Sequence, residues 1–374
     1  MESWSALERK LHVLAWARGG SALRRVAATG LSLAWLLMLL GGCATKPAKV
    51  VYTLFPPAPD EPRVQYLATI SSDADLGGGS KFADFITGRP KAQNPIIKPY
   101  GLALRDGQLF VCDTVRSAIE VFDLARKRAH YFAAGGEGGV RMPINVTIDS
   151  DGTRYVADTV HGKVLIYKGD EYVAAIGGKE ELKPCDVAIS SNRLYVADLK
   201  GHMVRVYSKA DRKPLFTIPA DPKEATNKLF SPTNLALDPQ GRLLVSDTGA
   251  FAVQVYDLDG RYLKTIGQQG VAPGLFARPK GIAVDRDGLV YVVDAATQVV
   301  QIFDPDGKLL MFFGQPETSP QGGLHLPAAV KIDYDNIKFF QDKVAPGFQC
   351  QYLILMTSQV GPSKVNIYGF VKKQ

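Results

Sequence analysis

The apolar positions along this chain come in short runs that alternate with polar residues, without the spacing of an amphipathic helix. The clearest runs lie at 281–284, 290–294, 299–303 and 309–314, and they are rich in β-branched and aromatic residues. Asp-Gly pairs, which favour tight turns, stand between the first two runs and between the last two. This pattern predicts strands joined as a four-stranded antiparallel meander.

The meander repeats along the chain, because a proline followed three residues later by an apolar residue occurs six times. These repeat prolines are Pro99, Pro143, Pro184, Pro232, Pro279 and Pro327, with separations of 44, 41, 48, 47 and 48 residues. Propeller blades have a period of about 40 to 50 residues. An aspartate after the second run keeps the same phase in five units, at Asp113, Asp158, Asp198, Asp247 and Asp294, and Thr357 replaces it in the sixth. The repeat predicts an all-β fold, a six-bladed β-propeller.

The two ends of the repeat region predict how the ring closes. Residues 66–70 resemble 262–266, the fourth strand of its unit, yet they precede the first complete repeat. The sixth unit, conversely, ends after its third strand at 364–370. The N-terminal strand is therefore expected to complete the last blade, which removes two exposed sheet edges.

Residues 1–42 look like a lipoprotein signal peptide rather than part of the fold. An uncharged apolar run at 26–40 follows a basic flank, and Leu40-Gly41-Gly42-Cys43 after it resembles a lipobox. We expect cleavage between Gly42 and Cys43 and lipidation of the Cys43 thiol. The alternative, an uncleaved membrane helix, reaches the required length of about 20 residues only if the Gly-Gly-Cys is counted. Residues 43–62 then form a Pro-rich tether, and 63–374 form the propeller.

The charge of the chain gives no reason to predict a nucleic-acid partner. The formal net charge is +7, of which the leader, with five basic and two acidic residues, carries +3. A mild positive charge scattered over the mature chain is unlike a nucleic-acid site. The expected partners are the membrane, through the lipid anchor, and a protein of the cell envelope. Ala44 after the lipidated cysteine resembles the sorting signal for the outer membrane.

The units at 232–267 and 279–314 resemble NHL repeats, through Pro-x-Gly-Ile-Ala, Val-x-Asp, Val-Gln-Val-Tyr-Asp and Thr-Ile-Gly elements. With the lipobox, the tether and the opening at 63–67, the chain is similar to bacterial NHL-repeat lipoproteins. The resemblance implies a six-bladed propeller, and it associates the chain with c-type cytochrome systems by genomic context only. The chain has no Cys-x-x-Cys-His, so it does not itself carry covalent haem.

The five repeated aspartates are predicted to be structural, since an active site needs one asymmetric group of residues. We expect them to accept backbone N–H bonds in the turn after the second strand. A more informative position lies two residues after each repeat proline, where Asn145, Asp186 and Asn234 offer oxygen atoms and the other three blades have Gly101, Gly281 and Ala329.

Two interpretations of this channel position stay open. Six-bladed lactonases, as relatives by resemblance, bind a divalent cation there, but one carboxylate and two amides fall short of the six or more ligands of calcium. In the other interpretation, Asn and Asp tolerate the backbone geometry that Gly adopts in the remaining blades. No cofactor is predicted other than this divalent cation.

The histidines and cysteines add little chemistry. His161 and His202 occupy matching loops of neighbouring blades and are either shared ligand-binding residues or exposed loop residues, and two histidines do not complete a zinc site. Blades one and six adjoin, but Cys112 and Cys350 are offset along their strands by roughly 20 Å, beyond disulfide reach. Cys112, Cys185 and Cys350 are therefore predicted to be buried free thiols.

Two irregular insertions are the predicted sites of partner contacts, because such segments commonly carry function on a rigid scaffold. Residues 71–98 contain Phe82 and Phe85, and residues 336–349 contain Phe339 and Phe340. The alternative is that these aromatic residues cap the propeller's own core.

The sequence favours a non-catalytic binding or scaffold propeller in a cell-envelope assembly. It contains no Gly-x-Ser-x-Gly motif and no P-loop. The alternative is a metal-dependent lyase or lactonase that uses the central channel through Asn145, Asp186 and Asn234.

Overall fold

The computed structural model describes residues 51–77, 94–132, 136–178, 181–220, 228–316 and 321–374. The predicted lipidation site at Gly42 and Cys43 and the predicted partner residues Phe82 and Phe85 lie outside the described residues. One compact unit spans Tyr52–Gln374. Within the described ranges, no helix has both the length and the apolar character needed to span a membrane.

The described residues form 25 strands in six antiparallel sheets, which are the blades of the predicted propeller. Blade 1 contains β3 (Pro99–Arg105), β4 (Gln108–Asp113), β5 (Ala118–Asp123) and β6 (Arg128–Phe132). Blade 2 contains β7 (Pro143–Ile148), β8 (Thr153–Asp158), β9 (Lys163–Lys168) and β10 (Glu171–Ile176). Blade 3 contains β11 (Pro184–Ile189), β12 (Arg193–Asp198), β13 (Met203–Ser208) and β14 (Pro214–Ile218).

The second half of the ring follows the same meander order. Blade 4 contains β15 (Pro232–Leu237), β16 (Arg242–Asp247), β17 (Ala252–Asp257) and β18 (Tyr262–Ile266). Blade 5 contains β19 (Pro279–Val284), β20 (Val290–Asp294), β21 (Val299–Phe303) and β22 (Leu309–Phe313). Blade 6 contains β23 (Pro327–Asp333), β24 (Phe348–Ser358) and β25 (Val365–Lys373), together with β1 (Leu54–Phe55) and β2 (Val64–Ile70) from the N-terminal side. Short 3-10 turns lie at Asp73–Leu76, Gly136–Gly138, Ile337–Phe339 and Gln341–Lys343.

The N-terminal strand closes the ring as the sequence predicted. The sheet of blade 6 has the order β1-β2-β25-β24-β23, and β2 pairs antiparallel with β25 with Tyr66 opposite Tyr368. The docked part of the chain also includes residues before 63. Leu54 and Phe55 add a fifth strand, and the buried ring of Phe55 lies 5.8 Å from that of Phe313. The last part of the predicted tether is thus docked on the closing blade.

The hydrophobic core lies in layers between neighbouring blades. Cys112 and Phe132 of blade 1 pack with Val156 and Tyr167 of blade 2, and the rings of Phe132 and Tyr167 are 4.8 Å apart. Because each blade is covered on both faces, the middle strands are buried at successive positions, as in Leu194–Asp198 of β12. The apolar runs of the sequence reflect this double burial.

The repeated aspartates hold the turns of each blade, as predicted. Asp113 accepts the backbone N–H of Val115 and Arg116, both at 3.0 Å. The same carboxylate also accepts the N–H of Ile97 at 2.6 Å, in the segment before the repeat proline. Asp158, Asp198, Asp247 and Asp294 likewise accept N–H bonds from both segments. In blade 6, Thr357 instead bonds to the neighbouring blade 1, donating to the Tyr100 carbonyl at 2.6 Å.

The three cysteines of the described region are buried free thiols, in agreement with the prediction. Cys350 does not precede the second strand of blade 6, as the sequence suggested, but lies within β24 opposite Val371. The strand is 11 residues long, so it begins inside the segment interpreted as an insertion.

Candidate functional site

The central channel has two ends, and the repeat residues define which groups lie at each. Every innermost strand begins at a repeat proline that pairs with the end of the second strand, as Pro99 does with Asp113. We call this end of the ring the mouth face; it carries the segments before the repeat prolines and the turns after the repeated aspartates. The opposite face carries the turns between the first and second strands.

The position two residues after each proline is a close contact between neighbouring blades. A Cβ atom on Gly101 would lie 2.2 Å from Asn145 Oδ1 and 2.5 Å from Asn145 Cα. A Cβ atom on Gly281 would lie 2.6 Å from Ala329 Cα. The backbone there does not have the positive φ that favours glycine. The interpretation of this position as a special backbone conformation is therefore wrong, and glycine is needed because adjacent backbones approach closely.

Two of the three polar side chains at this position, Asn145 and Asp186, bind backbone N–H groups at the inner edges of the blades. Asn145 Oδ1 accepts from its neighbour Val146 at 3.0 Å. Asp186 Oδ1 accepts from Val187 at 2.8 Å, and its Oδ2 accepts from Leu235 of blade 4 at 2.9 Å. An innermost strand has no further strand beside it, so these side chains satisfy N–H groups that would otherwise be buried without partners.

These residues do not fit a divalent cation. Of the oxygen atoms of Asn145, Asp186 and Asn234, one, Asn234 Oδ1, has no hydrogen-bond partner, while a calcium ion takes six to eight. Among the residues that the structure describes, no three His, Cys, Asp or Glu side chains are grouped to hold a metal. Burial raises the pKa of Asp186, and the positive charge of Lys331 from blade 6 opposes this rise.

At the mouth-face end of each innermost strand, the position one residue after the proline is one that the sequence reasoning did not compare across blades. Blades 1, 3 and 5 place Tyr100, Cys185 and Lys280 there, and blades 2, 4 and 6 place Ile144, Thr233 and Ala328. Burial raises the pKa of the Cys185 thiol to about 12. Burial lowers the pKa of Lys280, and the positive charge of Arg278 lowers it further. The signal in the sequence was the basic residue directly before the proline in the same three blades: Lys98, Lys183 and Arg278.

On the opposite face, a cavity of about 250 Å³ lies among blades 6, 1 and 2. Thr147 and Lys331, each four residues after a repeat proline, lie in its wall. The same position holds alanine in the other four blades, at Ala103, Ala188, Ala236 and Ala283. Thr147 Oγ1 donates to the Val187 carbonyl at 2.8 Å, so it too joins neighbouring blades.

Comparison with known proteins identifies the family. The family model described as SMP-30/Gluconolactonase/LRE-like region matches residues 102–320, more than half of the chain. The chain belongs to this family. No curated protein sequence matches it. The NHL identity suggested by the sequence, and the lipid anchor, stay predictions.

Solved structures share the propeller fold of this SMP-30/gluconolactonase-like chain at low sequence identity. Virginiamycin B lyase from Staphylococcus aureus is 12% identical with a TM-score of 0.50, covering 82% of this chain and 88% of the lyase. The gluconolactonase XC5397 from Xanthomonas campestris is 15% identical with a TM-score of 0.52, covering 73% and 86%. A Bacteroides thetaiotaomicron protein of unknown function is 17% identical with a TM-score of 0.56, covering 75% and 71%. These likenesses concern the fold alone.

Each of the two loop histidines of this SMP-30/gluconolactonase-like propeller lies close to an oxygen atom of a mouth-face loop. His161 Nδ1 lies 3.4 Å from Asp158 Oδ2 of its own turn. His202 Nδ1 contacts the Phe230 carbonyl oxygen of the next blade. Each histidine therefore contributes to a loop contact on the mouth face.

The insertion of blade 6 packs on the core of the closing blade and blade 1. Phe340 is 6% exposed and belongs to the same apolar cluster as Leu109 and Phe122. Phe339 lies over Gly107, where an added Cβ atom would be 2.8 Å from its ring. Asn336 Oδ1 accepts the Gly107 N–H at 2.8 Å. Phe339 and Phe340 therefore pack on the propeller's own core, as the alternative to a partner site describes, and the buried Phe340 ring is not available to a partner.

Proposed function

We propose that this chain is a non-catalytic binding propeller of the cell envelope, anchored by a lipid on Cys43, and that its mouth face recruits a protein partner. The observation that carries the proposal is a set of large apolar side chains that are exposed on the mouth face among exposed basic residues. Phe230 is 50% exposed and Val115 is 58% exposed. Ile97, Val160 and Val360 are also exposed there, and such groups on one face are typical of interaction surfaces.

The charges between these apolar residues point to the chemistry of the partner. Lys98, Arg141, Lys183 and Arg278 are exposed in the segments before the repeat prolines. Glu137 and Glu181 are exposed acidic groups in the same segments. A partner surface with acidic residues around apolar ones would complement this face. By resemblance, a multihaem c-type cytochrome or a porin of the envelope is the first partner to test.

The experiment is cross-linking of the tagged, full-length chain in its native membranes, followed by mild detergent extraction and mass spectrometry. We expect one envelope protein to cross-link to the mouth face of the wild type. The double variant Val115→Ser and Phe230→Ser should lose this partner. The matched control, Val173→Ser and Leu263→Ser, removes apolar groups that are 47% and 39% exposed from the outermost strands β10 and β18 and should keep the partner.

Two outcomes would overturn this proposal. In one, native membranes yield no cross-linked protein. In the other, the mouth-face variant and the control retain the partner equally well. The variant Cys43→Ser tests the anchor separately, because it should move the chain from the membrane fraction to the soluble fraction while leaving the mouth face intact.

The family match favours one second candidate, a lactonase or lyase. Solved structures that share the fold of this chain include proteins described as a gluconolactonase and as a virginiamycin B lyase. Asn145 and Asp186 are engaged with backbone N–H groups, so such an activity would use Asn234 or residues elsewhere. Lactone hydrolysis and bound metal, measured on the purified full-length chain, test this candidate directly.

A further inference from the structure

Three large apolar side chains are exposed together where the mouth face meets the outer edge of blade 5. Val271 lies in the loop before the repeat proline of this blade and is 78% exposed, the highest value among the large apolar side chains of the described residues. Leu310 and Phe312, on the outermost strand β22, are 53% and 38% exposed. We call Val271, Leu310 and Phe312 the rim patch.

The loop and the strand that carry the rim patch are fixed to one another. Val271 and Phe312 line the same hollow of about 80 Å³. Beside it, Gln301 Oε1 accepts the Gly274 N–H at 2.6 Å, and Gln301 Nε2 donates to the Leu275 carbonyl at 2.7 Å. Both hydrogen bonds join the loop to strand β21, next to β22. The rim patch is therefore a defined surface of the blade.

The sequence around the rim patch contains no charge. Neither 265–277 nor 309–316 includes Asp, Glu, Lys or Arg. A charged residue or a proline on an outermost strand discourages pairing with other chains. The outermost strands of blades 1 to 4 each contain one, at Arg128, Glu171, Pro214 and Lys264. Strand β22 has neither, so its exposed side chains favour contact with an apolar phase.

The size and shape of the rim patch suit a bilayer better than a protein or a small ligand. The three side chains expose on the order of 300 Å², far below the roughly 800 Å² that each partner buries in a stable protein complex. The hollow of about 80 Å³ is smaller than a ligand pocket, which has at least about 300 Å³. A membrane interface needs no complementary pocket, because apolar side chains can sink into it one by one.

The proposed lipid anchor favours the bilayer as the surface that covers the rim patch. The chain docks on blade 6 at β1, where the Phe55 ring lies 5.8 Å from the ring of Phe313 on β22. The eleven residues 43–53 before β1 span at most about 40 Å when fully extended. The anchor therefore restrains the outer edge of blades 5 and 6 near the bilayer, whereas blades 2 and 3 lie across the ring.

We propose that the rim patch lies on the lipid bilayer, with Val271, Leu310 and Phe312 inserted among the upper acyl chains. The ring then stands with the outer edge of blade 5 against the membrane. This inference rests on the lipid anchor of the proposed function, but it does not depend on the protein partner of the mouth face.

The test measures the depth of single residues in the membrane. The full-length lipidated chain is reconstituted into vesicles of phosphatidylethanolamine with a smaller amount of phosphatidylglycerol. The variant Leu310→Cys carries a polarity-sensitive fluorophore on the new thiol, since Cys112, Cys185 and Cys350 are buried. A lipid with a nitroxide high on its acyl chain then quenches any fluorophore that enters the bilayer.

A matched control is available on the far side of the ring. Leu215 is 50% exposed on β14, the outermost strand of blade 3, opposite blade 6. We expect quenching in Leu310→Cys to exceed that in Leu215→Cys at least about threefold, because the rim patch enters the headgroup and acyl boundary. The difference should persist at high salt, since the patch contains no charge to screen. Val271→Cys is a second, independent position and should behave like Leu310→Cys.

The outcomes separate this inference from the anchor. Equal quenching in Leu310→Cys and Leu215→Cys, in chains that float with the vesicles, overturns the rim patch and leaves the anchor intact. A fluorophore on Leu310→Cys that reports an apolar environment without quenching also overturns the rim patch, because a second copy of the chain then covers it. Chains that do not float with the vesicles overturn the anchor and this inference together.

Discussion

Asp186 of blade 3 accepts the backbone N–H of Leu235 in blade 4 at 2.9 Å. Its other carboxylate oxygen accepts the N–H of Val187 at 2.8 Å. One buried side chain thus satisfies the inner edges of two blades, and it does so at the position where a metal-dependent channel would need a free ligand. Both oxygens of the Asp186 carboxylate accept backbone N–H groups. The side chain is therefore structural, and neither oxygen is free to bind a metal ion.

Replacing Asp186 tests this assignment. Asp186→Ala leaves two buried N–H groups without partners, so we expect a loss of about 2 to 5 kcal/mol in the free energy of unfolding. Asn145→Ala frees one N–H group and should cost about half as much. Urea unfolding of both variants, with calcium and with a chelator, gives the measurement. A wild-type stability that rises with calcium, and does not rise in Asp186→Ala, would contradict the assignment.

Closure of the ring extends further towards the N-terminus than β2. Phe55 is buried against Phe313 and Tyr368. Phe55→Ala should therefore lower the free energy of unfolding by about 3 kcal/mol, the usual range for a buried phenylalanine. Tyr52→Ala, at a position 37% exposed, should change it by less than about 0.5 kcal/mol. Equal effects of the two substitutions in urea unfolding would show that the strand does not dock.

Much of the fold could be predicted because its determinants are local and repeated. The proline, the aspartate and the apolar runs recur in each blade, and 66–70 resembles 262–266 because both are fourth strands. The docking of Leu54 and Phe55 could not be predicted, since a two-residue strand leaves no periodic pattern.

The candidate site was predicted less well, because its contacts join residues that lie far apart in the chain. The sequence indicates that Asn145 and Asp186 lie near the channel, but not that inner-edge N–H groups occupy their oxygens. Equally, Asp186 of blade 3 and Leu235 of blade 4 are far apart in the chain, and only the ring brings them together. Contacts between blades are set by the geometry of closure, which no single repeat encodes.

Glu120 makes the stability of blade 1 sensitive to pH. The Glu120 side chain is buried, and this burial is the largest of the causes that raise its pKa from 4.5 to about 8. The negative charge of Asp113 is the next largest cause. Arg116, 3.1 Å away, opposes the rise. A raised pKa means that the folded state holds the proton more tightly than the unfolded state. The contribution of the Glu120 proton to the free energy of unfolding is therefore fully present below pH 4.5 and is lost as the pH rises through about 8.

Glu120→Gln should remove this dependence. We expect the wild type to lose stability between pH 6 and pH 9 relative to the variant, by roughly 1 to 3 kcal/mol in urea unfolding. Glu171→Gln, at an exposed position on β10, is the control and should follow the wild type. Parallel pH profiles for wild type and Glu120→Gln would show that Glu120 is ionised in the folded chain throughout this range.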